Sequence, residues 1–121
     1  MGNFHNMEIW KESKNLAVKI YKLTNKGKFI NDLSFRDQIR KAAVSIPSNL
    51  AEGEESGLTK GSLRYFHIAN GSLAELRTQI EIAKEIGYIR DTEYIVVQNN
   101  MTILAKRLMC LIQFRQRKLD T

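Results

Sequence analysis

Apolar residues return along this chain at steps of three and four in separate stretches, divided by glycines and short polar runs. The first stretch covers residues 7–24, with Ile9, Ser13, Leu16, Ile20 and Leu23 on one seam and Trp10, Ala17, Tyr21 and Thr24 beside it. Asn25-Lys26-Gly27 supplies residues that tolerate a left-handed C-terminal turn, so the helix ends there. Residues 29–33 read as a connection, and Ser34 with Asp37 is placed to cap a second helix. Another stretch carries Phe66, Ala69, Leu73, Leu76, Ile80 and Ala83, alternating steps of three and four as a coiled-coil seam does. In the last stretch Tyr94, Val97, Met101, Leu104, Leu108 and Leu111 share a seam, with Ile95, Val96, Ile103 and Ile112 outside it. Amphipathic helices joined by short connections predict an all-α fold, an antiparallel up-down four-helix bundle. It is expected as a single domain over residues 1–121, with 1–6 a loose N-terminal end.

The second helix holds the least ordinary pattern, QIRKAAVSIPSNLAEG over residues 38–53. Ile39, Ala42, Ala43, Ile46 and Leu50 form its apolar stripe, and Gln38, Ser45, Asn49 and Glu52 form a polar stripe next to it. Pro47 interrupts both, because it has no N–H for the Ala43 carbonyl and biases Ile46 away from helical angles. The helix either kinks near Pro47 or restarts with Ser45 as a cap. The apolar spacing passes the proline without a phase jump, which favours a kinked, nearly continuous helix.

Glycines and polar residues mark the remaining boundaries. Residues 53–60 read as a loop, with Thr59 or Ser62 capping the third helix. Gly71 lies inside that helix, where it costs about 1 kcal/mol relative to alanine, so it is expected at a close backbone contact. Gly87 ends the helix, and Asp91 or Thr92 caps the next. The apolar surplus of the last helix predicts a subunit interface.

The chain has 121 residues, 43% of them hydrophobic, enough for one ordinary core. Its net charge of +6 favours anionic partners, and the stretch from Lys106 onward ends the last helix with five basic residues against one acid. A single cysteine, Cys110, excludes an intramolecular disulfide, fits a reducing cytoplasm, and is expected buried within its helix. No Cys/His group has metal-ligand spacing, so neither metal nor cofactor is expected. No run approaches the length of a membrane span, and no membrane partner is expected. Met1-Gly2 begins a myristoylation pattern that Asn6 breaks, since that position calls for serine or threonine.

Two blocks, SIPSNLAEG with its preceding QIRKAA and IANGSLAEL at residues 68–76, join Trp10-Lys11 and Tyr21-Lys22-Leu23-Thr24 in a wider pattern. With them nearly the whole chain resembles the four-helix-bundle proteins encoded in intervening sequences of bacterial 23S rRNA genes. That superfamily includes the accessory variability proteins of diversity-generating retroelements. The resemblance implies a bundle that assembles with itself, as a pentameric ring in relatives, with basic surface able to contact nucleic acid and no enzymatic activity. Three positions depart from the pattern: Lys41 where arginine is common, Asn70 where a basic residue is frequent, and Ile30 in place of a proline after Phe29.

Two sets of residues are candidates for function. Gln38, Ser45, Asn49 and Glu52, with Ser72, Glu75 and Gln79 of the third helix, are expected as a structural polar cluster that fixes the register of the two helices. A contact of Glu75 with Arg40 or Lys41 belongs to that reading. Glu52 and Glu75 alone supply neither the extra acids nor the histidine of a carboxylate metal bundle, so catalysis is not expected. Arg36, Arg40, Lys41, Arg64, Arg77, Lys106, Arg107, Arg115, Arg117 and Lys118 are the candidates for phosphate contact, salt-sensitive and indifferent to base sequence. His5 and His67 are isolated and read as surface or interface residues. The leading expectation is a non-enzymatic oligomeric scaffold on RNA or DNA. The alternative is a bundle that binds a protein partner and has no nucleic-acid role.

Overall fold

A computed structural model describes residues 3–121, and Met1 and Gly2, with the myristoylation pattern they begin, lie outside the described residues. Four helices carry the fold: α1 Glu8–Leu23, α2 Leu33–Glu55, α3 Lys60–Glu85 and α4 Asp91–Leu119. Among the described residues there is no strand. Each helix packs on its neighbour in the chain, and α1 closes the ring against α4, with the most extensive contact between α2 and α3 and the least between α1 and α4. Ser62 meets Gly53 and Ser72 meets Ser45 across α2 and α3, while Arg107 meets Glu12 across α4 and α1. Rising numbers on α3 face falling numbers on α2, so that pair runs antiparallel.

The predicted seams form the core. Ile20, Phe29, Ile39, Ile46, Leu50, Phe66, Leu76, Ile80 and Leu108 are fully buried. On α4 the inner seam is Val97, Met101, Leu104, Leu108 and Ile112, while Leu111 is only half-buried. Ile112, expected outside the seam, therefore corrects it: steps of four continue past Leu108. Cys110, expected buried, is exposed, because it lies on the side of α4 opposite Met101 and Leu108. By length and composition alone α4 is long and apolar enough to cross a membrane, contrary to the sequence expectation. The reason is its two apolar sides; Gln98, Asn99, Asn100, Lys106 and Arg107 lie between them within the same helix.

α2 runs from Leu33 to Glu55 as one helix through the buried Pro47. Its cap is Asp32 rather than the expected Ser34 and Asp37: Asp32 Oδ1 accepts from the Phe35 amide at 3.3 Å, and Oδ2 accepts from the Tyr88 hydroxyl at 2.7 Å. Asp32 thus ties the start of α2 to the turn after α3, where the rings of Phe29, Phe35 and Tyr88 pack together with centroids 5.1–6.2 Å apart. The hydrogen bond to Asp32, with burial and the carboxylate charge after it, raises the Tyr88 pKa.

The expected loop over 53–60 shortens to residues 56–59, since α2 continues to Glu55 with Gly53 buried inside it and α3 begins at Lys60. Thr59 caps α3 as anticipated, its hydroxyl accepting from the Ser62 amide at 3.0 Å. Gly87 ends α3 at φ +80, with the Tyr88 amide donating back to the Ala83 carbonyl at 2.8 Å, the bond a left-handed cap residue allows. The cap of α4 is Arg90, whose amide donates to Glu93 Oε1 at 3.0 Å, in place of Asp91 or Thr92. Residues 3–6, expected loose, include a 3₁₀ turn, Phe4–Asn6, with the Phe4 ring 5.0 Å from that of Trp10.

Candidate nucleic-acid interface and polar seam

The polar stripe of α2 meets α3 at one point. Ser45 Oγ and Ser72 Oγ are 2.7 Å apart, and Asn49 Nδ2 donates to Ser45 Oγ at 3.0 Å and to the Ser45 carbonyl at 2.8 Å. All three are half-buried, so the link is sheltered without being sealed. Gln38, Lys41, Ser45, Ser72 and Glu75 line a cleft beside it. Gln38, Glu52 and Glu75 are exposed and stand outside this hydrogen-bonded set. Gln79 is buried, and its Oε1 has no hydrogen-bond partner among the described residues. Glu75 makes no ion pair among the described residues, and Arg40 turns to α1 instead, so the expected Glu75–Arg40 contact is replaced.

Four of the ten basic candidates have neighbours within the bundle. Arg40 Nε donates to Thr24 Oγ1 at 2.9 Å and Nη2 to the Tyr21 carbonyl at 3.3 Å, with the guanidinium 4.4 Å from the Tyr21 ring centre. Arg107 pairs with Glu12 and Arg115 with Glu54, each at 2.6 Å. Arg115 also lies 5.3 Å from the Phe66 ring centre, joining α4, α2 and α3. Arg36 Nε is 3.5 Å from Asp37 without hydrogen-bond geometry. Lys41, Arg64, Arg77, Lys106, Arg117 and Lys118 are exposed and, among the described residues, make no ion pair. They are spread over α2, α3 and α4 rather than gathered on one helix.

A second concentration of positive charge lies where sequence reasoning did not place a site. Residues 11–28 hold six lysines and one glutamate, a net +5 within a chain of +6. Lys11 pairs with Glu8 at 3.3 Å and Lys26 with Glu93 at 2.8 Å, while Lys14, Lys19, Lys22 and Lys28 are exposed and unpaired among the described residues. Lys19, Lys22 and Lys26 recur at steps of three and four, and together line a cleft against Thr92, Glu93 and Val96 of α4. A charge count over residues 11–28, from the body of α1 into the connection after it, reveals this surface.

At the same end of the bundle Glu93 accepts from Lys26 at 2.8 Å and from the Arg90 backbone at 3.0 Å. The Lys26 bond first, and the Arg90 amide next, hold its carboxyl down at about 2 against the opposing effect of burial. Tyr94, whose hydroxyl donates to Glu81 at 2.6 Å, has its pKa raised by that bond first. Among the described residues no three of His, Cys, Asp and Glu group as metal ligands.

These features define a class: a four-helix bundle with a lysine-rich first helix and a polar link between its second and third. The chain belongs to the 23S rRNA-intervening sequence protein family, whose profile matches residues 5–110. This agrees with the motifs around SIPSNLAEG and IANGSLAEL. Among solved structures it is similar to the 1.70 Å crystal structure of a protein with unknown function from the S23 ribosomal protein family of Bacteroides thetaiotaomicron VPI-5482. The TM-score is 0.77 at 23% identity, over 86% of this chain and 97% of that one, a likeness of fold. No curated protein matches the chain significantly.

Proposed function

We propose that this bundle is a non-enzymatic scaffold that assembles with itself and contacts RNA or DNA non-specifically through lysine and arginine side chains. The observation that carries the reading is the net +5 of residues 11–28, with Lys14, Lys19, Lys22 and Lys28 exposed and free of ion pairs among the described residues. Flexible ammonium groups on a helix surface suit phosphate contact without base readout. Arg40, Arg107 and Arg115 have structural partners and contribute less. Lys41, Arg64, Arg77, Lys106, Arg117 and Lys118 extend the positive surface.

Self-assembly is supported by the outer side of α4. Val96, Ile103 and Phe114 are 49, 49 and 48% exposed, and with Cys110 they follow steps of seven, seven and four along one stripe. An apolar stripe of this length on one helix is suited to a subunit contact, in the pentameric ring that the family resemblance implies. Cys110 is then a reporter: maleimide labels it rapidly in a dilute monomer and slowly in the assembly.

The test is binding of a labelled single-stranded RNA and a duplex DNA at low and physiological salt. Affinity for both is expected, falling steeply as salt rises. Replacing Lys19 and Lys22 by glutamine is expected to flatten that dependence. Absence of binding at low salt overturns the nucleic-acid reading and leaves the bundle as a protein-binding one.

A further inference from the structure

Between α1 and α2 runs a groove whose apolar walls are only partly used by the core. Ala17 and Pro47 are buried at its base, and Val18, Tyr21 and Val44 stand around it, 47, 44 and 40% exposed. Lys14 and Lys22 are the charged side chains of the lining, eight residues or roughly 12 Å apart along α1. No acid lines it. Arg40 sets a third cation close by, fixed through Thr24 Oγ1, the Tyr21 carbonyl and the Tyr21 ring. Two of its five N–H donors are engaged in those bonds, which leaves three for an incoming carboxylate.

We propose that this groove docks an amphipathic helix of a partner protein, with apolar anchors at i, i+3 or i+4, and i+7, and carboxylates flanking them. Between the two lysines the floor of Ala17, Val18, Val44 and Pro47 offers a phosphate backbone no donor. A shallow groove between two helices suits a helix laid lengthwise along it. Cations at both ends, with no acid between, set the sign of the partner's charge. About 12 Å between Lys14 and Lys22 matches two turns of a docked helix. The inference does not rest on the nucleic-acid reading, although Lys14 and Lys22 belong to both surfaces.

The experiment uses the full chain and a fluorescein-labelled peptide of about 18 residues, an amphipathic Leu/Ala/Glu helix roughly 27 Å long. Its controls are a scramble that breaks the apolar stripe and a version with every Glu replaced by Lys. Anisotropy is expected to show saturable binding of the acidic helix, with a Kd of about 10 to 100 μM, and none for either control. A Val18→Gln/Val44→Gln double variant keeps the charge and is expected to weaken binding about tenfold or more. Its thermal unfolding and its oligonucleotide affinity should not change. Lys14→Gln/Lys22→Gln is expected to weaken binding and flatten its salt dependence. Equal binding of the controls, or full binding by the Val18→Gln/Val44→Gln variant, overturns the proposal. A changed mass by light scattering in that variant overturns it in favour of a second copy in the groove. Loss of co-sedimentation with phosphatidylglycerol vesicles overturns it in favour of lipid.

Discussion

Gly53 lies against the ring of Phe66: a Cβ at Gly53 would fall 2.5 Å from Phe66 Cε1 and 2.8 Å from Cδ1. Ser62 reinforces the approach, its hydroxyl donating to the Gly53 carbonyl at 2.6 Å. The end of α2 and the start of α3 are thereby drawn together, and the Arg115 guanidinium lies 5.3 Å from the Phe66 ring centre. Phe66 is fully buried, so its ring has little room to give way. Gly53→Ala is expected to destabilise the bundle by about 1 to 3 kcal/mol through overpacking, despite alanine's better helix propensity. Urea unfolding followed by circular dichroism measures it, and a neutral or stabilising result contradicts the contact.

Gly71 answers with the opposite sign. It is exposed on α3, and a Cβ built there meets nothing within 4 Å, so the close approach expected from its mid-helix position is absent. The helix then carries only the entropic cost of glycine. Gly71→Ala is expected to stabilise the protein by about 0.5 to 1 kcal/mol in the same unfolding assay. A loss of stability would mean that the open space is occupied in solution.

These two glycines mark the limit of what the sequence made legible. The seams of α1 and α3 were readable because periodicity belongs to a single helix, and Ile9, Leu16, Ile20, Phe66, Leu73 and Ile80 are buried where it placed them. Which glycine faces a ring depends on how two helices pair, and neither spacing nor propensity contains that. Caps fared similarly. Thr59 was legible, but Asp32 displaced Ser34 because it also receives Tyr88 from a turn 56 residues away. Of the polar cluster, Ser45, Asn49 and Ser72 converge, while Glu52 and Gln38 face water at positions the stripe alone could not distinguish.

The hydroxyl pair at the centre of α2 and α3 is the direct test of that cluster. Ser45→Ala and Ser72→Ala are each expected to cost about 1 kcal/mol, and the double variant less than their sum, with a coupling of about 0.5 to 1 kcal/mol. Asn49→Ala is expected to cost about 1 kcal/mol, because Asn49 bonds Ser45 within its own helix rather than reaching α3. Strict additivity in the Ser45/Ser72 cycle would mean that the 2.7 Å contact is not maintained in solution.

Arg40 closes the open end of α1. The Tyr21 carbonyl lies in the last turn of that helix and accepts only a long bond from Thr24 Oγ1, 3.4 Å, so Arg40 Nη2 supplies a further donor at 3.3 Å while Nε holds Thr24. A lysine cannot reproduce two donors in one plane above the Tyr21 ring. Arg40→Lys is therefore expected to lower stability by about 1 to 2 kcal/mol at unchanged net charge. Unfolding at low and high salt separates geometry from charge: the loss should persist at high salt, and its disappearance there would reduce Arg40 to a surface cation.

Glu93 links the junction after α1 to the first turn of α4, and its low pKa makes that link depend on pH. Its carboxyl ordinarily titrates near 4.5 and is held at about 2 by Lys26 first and by the Arg90 amide next. A carboxyl depressed in the folded state binds protons more readily in the unfolded chain, so acid favours unfolding. The stabilisation it provides is complete above the unfolded value and is lost as pH falls from about 4.5 towards 2. At neutral pH Glu93→Gln is expected to cost about 1 to 2 kcal/mol, since the amide retains a bond to the Arg90 N–H but not the ionic contact with Lys26. Near pH 2 the variant and the parent should converge in thermal stability. Lys26→Gln should reproduce part of the same loss over the same pH window, because its ammonium is the larger of the two influences. A constant difference between Glu93→Gln and the parent from pH 7 to pH 2 would show that the carboxylate's charge is not what holds the two segments together.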